Sequence, residues 1–226
     1  MEAPDLELIY VGDPMCSWCW GFAPVLEHLD ARFDLPLTVV AGGLRPGDAA
    51  QEMDDRLKTY LDQEWTKIEE VTGQPFDRTA LDRDGWTYDT MTADTAVVTM
   101  RAHKPTETLR FFNRVQQAFY AEAVDVTDAG AYPPLLEGFD IDATTFVEAL
   151  TSEEMKRLTW QDFATAHRMG VTGFPTLLLR DGNAGHILTR GYAPYEPIEE
   201  VVRGFLDEQY PDAVAGLVCA LDGEPC

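Results

Sequence analysis

The sequence predicts an α/β protein in which a βαβ unit opens the chain, an αββα unit closes it, and a large all-helical segment is inserted between them. Three observations predict this. Apolar residues alternate over Leu6 to Val11 and recur in a β-rich run over Leu35 to Ala41, with a three- and four-residue spacing between the two. From Arg45 to Leu150 the spacing is helical, interrupted at Gly73-Gln74-Pro75, Asp84-Gly85, Lys104-Pro105 and Gly130 with Pro133-Pro134. Beyond it, two β-rich runs are separated by Asp181-Gly182-Asn183, the pattern of an antiparallel hairpin.

Leu6 to Val11 reads as a buried strand ending at Gly12-Asp13-Pro14. From about Cys16, the residues Phe22, Val25, Leu26 and Leu29 form a helical stripe, with Pro24 inside the helix removing one backbone donor and kinking it. The strand at Leu35 to Ala41 then lies parallel to the first across a right-handed crossover, which brings the start of the helix to the carboxyl edge of the sheet. Helices are expected over Ala49 to Val71, Tyr88 to Ala102, Thr106 to Val124 with Leu109, Phe112, Val115 and Phe119 on one stripe, and Ala143 to Leu150. The aromatic stripe is expected to be core packing. Thr151-Ser152-Glu153-Glu154 offers a capping box for a helix to about Met169. Strands over Leu177 to Arg180 and Ile187 to Arg190 and a helix over Glu196 to Glu208 complete the chain. The expected division is a discontinuous α/β domain (1–44 and 152–212), a helical insertion (45–151) and a tail (213–226) containing Cys219 and Cys226.

The formal charge of -23 would repel a nucleic-acid backbone or an anionic membrane surface, and neither partner is expected. Arginine greatly outnumbers the four lysines, Lys58, Lys67, Lys104 and Lys156; the acid excess fits either a high-salt habitat or an ordinary solvated surface. Met1 to Tyr10 lacks the basic start and apolar core of a secretory signal, no apolar run reaches membrane-spanning length, and a cytoplasmic location is expected.

Chemistry is concentrated in Asp13-Pro14-Met15-Cys16-Ser17-Trp18-Cys19-Trp20. A CxxC outside a disulfide scaffold points to redox chemistry, to metal or to inert buried thiols. Zinc wants further ligands, and neither a second CxxC nor an HxxxH occurs among His28, His103, His167 and His186, so no metal is expected unless Cys219 and Cys226 fold back. At a helix start the unsatisfied N–H groups favour an anionic sulfur, which makes Cys16 the expected nucleophile. Cys19 lies one turn on, positioned to resolve a mixed disulfide. Asp13 could assist proton transfer to Cys19, although a turn-forming role before Pro14 is the simpler expectation. Cys219 and Cys226 form a candidate auxiliary redox pair.

These strings resemble the thioredoxin superfamily, and within it the DsbA-like branch with an inserted helical domain. The resemblance rests on Cys16-Ser17-Trp18-Cys19 at the helix start, Pro24 at the offset of the superfamily's helix kink, and Gly173-Phe174-Pro175-Thr176 before the hairpin. DPMCSWCWGFAP and GVTGFPTLLL look most like the FrnE-type, cytoplasmic subgroup. The resemblance implies a thioredoxin-like fold and a protein thiol-disulfide oxidoreductase or isomerase without a bound cofactor, acting on protein or small thiol and disulfide substrates with glutathione or a thioredoxin-type reductant as electron partner. It further implies that Pro175 is cis, that Phe174 offers its backbone to an extended substrate, and that Ser17, Trp18, Phe174 and Pro175 form the substrate surface. Ser17-Trp18 replaces the Pro-His dipeptide of periplasmic DsbA, so that protein's oxidising strength is not implied. Two rivals remain: the kappa-like glutathione-linked isomerases and transferases, which tend to carry Ser where Cys16 stands, and a chaperone or metal-binding regulator.

Overall fold

The computed structural model describes residues 6–83, 85–182 and 184–209. Strand β1 (Leu6–Gly12) pairs in parallel with β2 (Leu37–Ala41), Leu8 opposite Leu37 and Gly12 opposite Ala41, with helix α1 (Ser17–Arg32) as the crossover. On its other edge β1 runs antiparallel to β5 (Thr176–Asp181), which pairs with β6 (Ala184–Arg190). The sheet order is therefore β2-β1-β5-β6, and the two ends of the chain meet at β1.

Side chains on a strand alternate between faces, and β1 uses both. Leu6, Leu8 and Tyr10 point into a core with Phe22, Leu26 and Leu29 of α1 and with Ile198 and Val202 of α7 (Tyr195–Gln209). Ile9 and Val11 point the other way, against Ala166 of α6 (Glu153–Arg168) and Val40 and Leu178. A central strand covered on both faces reads as a nearly continuous apolar run, which is how Leu6 to Val11 reads.

The insertion packs α2 (Asp55–Thr72), α3 (Met91–His103), α4 (Thr108–Ala121) and α5 (Ala143–Leu150) around a second core that contains Trp65, Phe76, Phe111 and Phe119. It is not purely helical. Two-residue strands β3 (Gln51–Glu52) and β4 (Thr87–Tyr88) pair antiparallel where the apolar spacing suggested helix. Two short acidic side chains set the later starts. Asp54 caps α2 by accepting from the Leu57 N–H at 2.7 Å, and Asp89 accepts from the N–H groups of Met91 and Gly47 at 2.9 and 3.1 Å ahead of α3. The expected capping box of α6 is only half made. Ser152 is the N-cap and accepts from Met155 N–H at 3.2 Å, which puts Met155 rather than a glutamate at the reciprocal position.

Helix α1 belongs to both cores: Trp20 and Ala23 pack into the insertion, and Phe22, Leu26 and Leu29 into the sheet layer. Pro24 lies inside α1 and has no N–H for the carbonyl four residues back, that of Trp20. Gln74, just beyond α2, supplies the missing donor through its side-chain amide at 3.0 Å, while the Trp20 indole donates to the Pro75 carbonyl at 3.0 Å. Proline inside α1 is thus tolerated because the insertion satisfies the orphaned acceptor. Gln74→Ala removes that partner, and we expect it to destabilise the protein by about 1 kcal/mol, lowering the thermal midpoint by roughly 2–4 °C for a chain of this size. Thermal unfolding of the variant beside the wild type checks this; an unchanged midpoint means the carbonyl is satisfied without Gln74.

Candidate active site

The turn from β1 into α1 is tied down by one carboxylate. Asp13 is fully buried, and it accepts from Met15 N–H at 2.7 Å and from Leu44 N–H, beyond β2, at 2.6 Å. Its backbone carbonyl accepts from Cys16 N–H at 3.0 Å, and the Tyr88 hydroxyl donates to the Met15 carbonyl. With both Asp13 oxygens engaged by backbone donors, the structure has Asp13 shaping the turn.

These bonds leave Cys16 as the N-cap of α1, one residue ahead of the helix start, with its side chain free of any capping bond. The Cys16 thiol instead donates to the Phe174 carbonyl at 3.7 Å. The Phe174–Pro175 peptide bond is cis, and the half-buried Phe174 ring lies directly on the loop after β2. A Cβ on Gly42 would stand 2.3 Å from that ring, so only glycine leaves room for it. Cys16, Cys19, Phe174 and Pro175, separated by more than 150 residues in sequence, are therefore brought to one place.

The two thiols differ in access. Cys16 is 7% exposed and Cys19 is 0% exposed. Burial, reinforced by the neighbouring Cys16, pushes the Cys19 thiol well above the ordinary cysteine range, while a hydrogen bond from the Tyr10 hydroxyl pulls it down. Trp18 forms the rim: its indole donates to Glu64 at 3.3 Å, its ring faces Tyr192 at 5.8 Å, and the Lys67 ammonium sits 5.5 Å above it. Ser17 stands beside it, half-buried. Cys219 and Cys226 lie outside the described residues. Among the described residues, no group of His, Cys, Asp and Glu has the proximity to hold a metal ion.

The DSBA-like thioredoxin domain matches residues 7–200. The chain belongs to that family. A crystal structure of a candidate protein disulfide isomerase from Nitrosomonas europaea is 30% identical and superposes with a TM-score of 0.82, covering 90% of this chain and 98% of that one. The cytosolic disulfide reductase DsbM of Pseudomonas aeruginosa shares the fold at 24% identity and a TM-score of 0.74, over 90% and 98% of the two chains; its structure with GSH matches at 25% and 0.70 over the same shares. Among curated proteins, the ClpXP adapter protein SpxH of Halalkalibacterium halodurans is 25% identical over 91% of this chain and 70% of its own length. The neighbours are DsbA-like oxidoreductases, and no described helix is long and apolar enough to cross a membrane.

Beneath the DsbA-like motif lies a feature that local sequence does not announce. Asp94, on the first turn of α3, is fully buried, and the neighbouring Asp13 charge acts on it. The Thr90 hydroxyl donates to one Asp94 oxygen at 3.2 Å, and the other has no partner. Arg101, the nearby cation, is committed to Asp162 through two bonds of 2.7 Å. Two adjacent buried carboxyls without a cation cannot both ionise. Burial pushes both upward, and Asp94 goes further because Asp13 repels its charge and only the Thr90 hydroxyl opposes the rise, whereas the Leu44 and Met15 N–H groups stabilise the Asp13 charge. Asp94 is therefore the harder of the two to ionise. The only trace in sequence is an aspartate three residues before Val97 on a helix that is otherwise apolar and small.

A carboxyl whose folded-state pKa is raised favours the folded protein at low pH and loses that contribution as pH climbs from the ordinary carboxylate range through the folded value. Asn at position 94 imitates the protonated acid and cannot ionise. We expect the stability of Asp94→Asn relative to the wild type to grow as pH rises from about 5 to about 8, measured by denaturant unfolding across that range. Parallel stability profiles for the two proteins would show that Asp94 does not hold the proton.

Proposed function

We propose that the chain is a thiol-disulfide oxidoreductase whose redox centre is Cys16-Ser17-Trp18-Cys19, acting as a reductase or isomerase of disulfides in protein or small-molecule substrates. The observation that carries this reading is the asymmetry of the pair at the helix start. Cys16 keeps 7% of its surface exposed beside the Phe174 carbonyl, and Cys19, one turn behind it, keeps none. Disulfide exchange needs an accessible sulfur that attacks and a protected one that finishes the reaction.

In this scheme the Cys16 thiolate attacks a substrate disulfide, one substrate sulfur leaves as a thiol, and Cys16 is held in a mixed disulfide. Cys19 then loses its proton and attacks Cys16 Sγ, the bond to the substrate breaks, and the second substrate thiol leaves. The substrate has gained two electrons and the cysteine pair is oxidised. Trp18, Tyr192 and Phe174 give the mouth an apolar rim suited to unfolded or loosely folded clients, and the exposed Thr172-Gly173 backbone next to it suits pairing with an extended chain. No cofactor is required. The relative crystallised with GSH supports glutathione as a small-thiol partner that returns the pair to its reduced form, a thioredoxin-type reductant serving equally, and a cytosolic relative fits work in the cytoplasm, where such thiols keep disulfides reduced.

Replacing Cys16 by Ser is expected to abolish exchange with a model disulfide, whereas replacing Cys19 by Ala is expected to trap mixed disulfides visible by non-reducing electrophoresis. Full activity without Cys16 overturns the mechanism. We further propose Cys219 and Cys226 as an auxiliary pair that passes electrons to the Cys16–Cys19 disulfide. Replacing both is expected to slow turnover with at least one thiol donor, and unchanged rates with glutathione and thioredoxin alike would remove that role. The likeness to an adapter protein supports a second reading, partner binding without thiol chemistry; it predicts partner capture that survives loss of both active-site cysteines.

A further inference from the structure

In this acid-rich chain the basic side chains are mostly neutralised in pairs: Arg78 holds Glu69 at 2.8 Å, Arg101 holds Asp162 at 2.7 Å and Arg114 holds Glu122 at 2.9 Å. Arg45 and Arg56 are exceptions. Among the described residues neither makes an ion pair, and the two line one open cavity of about 400 Å³ together with Gln51, Asp54 and Tyr60. Asp54, the one carboxylate there, accepts the capping bond from Leu57 N–H at 2.7 Å and pairs with neither arginine.

Arg45 is held in place from several sides. It follows Leu44, whose N–H binds Asp13 at 2.6 Å and whose side chain packs in the same core as Cys16. Its backbone is pinned to the start of α3 in both directions, its N–H donating to the Thr90 hydroxyl at 3.2 Å and its carbonyl accepting from Thr90 N–H at 3.1 Å. Its guanidinium lies 4.9 Å from the centre of the Tyr88 ring, and its Nε–H donates to Gln51 at 3.3 Å. Gln51 and Tyr88 face each other across β3 and β4, so that two-residue ribbon is what aims the arginine. With Nε taken, the two terminal nitrogens have no partner among the described residues, and they form the planar fork that matches a carboxylate. Arg56 stands on the first turn of α2, with the 53% exposed Tyr60 one turn further on. The Tyr88 hydroxyl donates to the Met15 carbonyl, one residue before Cys16. The cavity and the redox turn therefore share one ring, Arg45 on its face and the turn at its hydroxyl.

We propose, resting on the exchange reading above, that Arg45 and Arg56 form a carboxylate subsite beside the redox pair, and that it selects small disulfides bearing carboxylates as substrates. A formal charge of -23 repels such a molecule at long range. Two cations left without carboxylate partners reverse the sign locally, within a screening length of about 8 Å at physiological salt. The volume is that of a small-molecule site, and its polar lining sets it apart from the apolar rim of Trp18, Tyr192 and Phe174. With the substrate carboxylate on the arginines, the Cys16 thiolate bonds to the nearer substrate sulfur, the substrate S–S bond breaks, and the departing sulfur leaves with the electron pair as a thiolate. The arginines exchange neither proton nor electron; they bind and orient.

Two aryl disulfides that release a coloured product test this: 5,5′-dithiobis(2-nitrobenzoate), which carries two carboxylates, and uncharged 4,4′-dithiodipyridine. Each is mixed at equal ionic strength with the reduced protein, both tail cysteines replaced by serine, and the readout is the ratio of the two second-order rate constants, anionic over uncharged. Arg56→Gln is expected to lower that ratio about 3- to 10-fold, the scale of one exposed ion pair, and Arg56→Lys to restore much of it. Arg45→Gln is expected to act in the same direction; Arg56, which has no contact with the redox turn, is the decisive position should loss of Arg45 disturb Tyr88. Arg180→Gln removes the same charge at the end of β1 remote from the redox turn, opposite Glu7, and is expected to shift the ratio by less than about twofold because salt screens it. A ratio that Arg56→Gln leaves unchanged, or one that Arg180→Gln lowers as much, overturns the proposal. Failure of the wild-type pair to release product from either disulfide would instead overturn the exchange reading itself.

Discussion

The structure depends most on the double burial of α1. A helix that covers one face of a sheet ordinarily keeps its opposite face in water, with polar residues there. Here Phe22, Leu26 and Leu29 enter the sheet-side core while Trp20 and Ala23 enter the insertion core, so α1 is apolar nearly all round from Cys19 to Leu26, and polar residues face water only beyond it, at Glu27, His28 and Asp30. The insertion is thus part of the surroundings of the redox pair. Cys19 lies in the sheet-side core, to which the insertion contributes Val97 of α3 and Phe112 of α4.

Double burial has a cost in unsatisfied backbone, and the polar bonds of the site fall where that cost would arise. Pro24 orphans the Trp20 carbonyl, and Gln74 answers it. The sharp turn before α1 leaves the Met15 N–H without a partner, and Asp13 answers it while reaching across to Leu44. Asp162 accepts from Ala41 N–H at 2.9 Å at the end of β2 and holds Arg101 of α3, so the sheet, α6 and the insertion are joined by one carboxylate. The Gln74–Trp20 and Arg101–Asp162 bonds tie the sheet layer to the insertion, and the Asp13 bonds hold the β1–α1 turn against the loop after β2 on which the Phe174 ring lies. Burial raises both carboxyls, but two backbone donors oppose the rise at Asp13, whereas Asp94 has one hydroxyl and the Asp13 charge beside it.

Local pattern carried much of this in the sequence. Period-two alternation marked β1, three- and four-residue spacing marked α1, and the CxxC between them fell at the seam that the βαβ geometry brings to the sheet edge. Resemblance supplied the distant half, Phe174 and Pro175. What stayed hidden was the set of contacts between residues far apart in sequence. Gln74 lies 54 residues from the carbonyl it satisfies, and Leu44 lies 31 residues from Asp13. Nothing in a Gly-Gln-Pro break shows that its glutamine serves a distant helix. The two-residue strands β3 and β4 escaped because Asp54 and Asp89 reset the helix starts within windows whose apolar spacing continued through them.

The same burial bears on the direction of electron flow. Sealing Cys19 penalises its thiolate whether that thiolate is attacking or departing, so the penalty slows both senses of the reaction and selects neither. Direction is instead a comparison between the pair and its partners: a substrate disulfide less stable than Cys16–Cys19 is reduced by the thiols, and a more stable one is left intact. A strong oxidase needs its reduced form specially stabilised. In this site the Cys16 side chain makes no capping bond, and its described partner is a carbonyl oxygen, an acceptor that interacts with the thiol and not with a thiolate. Under the proposed function, these contacts fit a reductase or isomerase better than a strong oxidase.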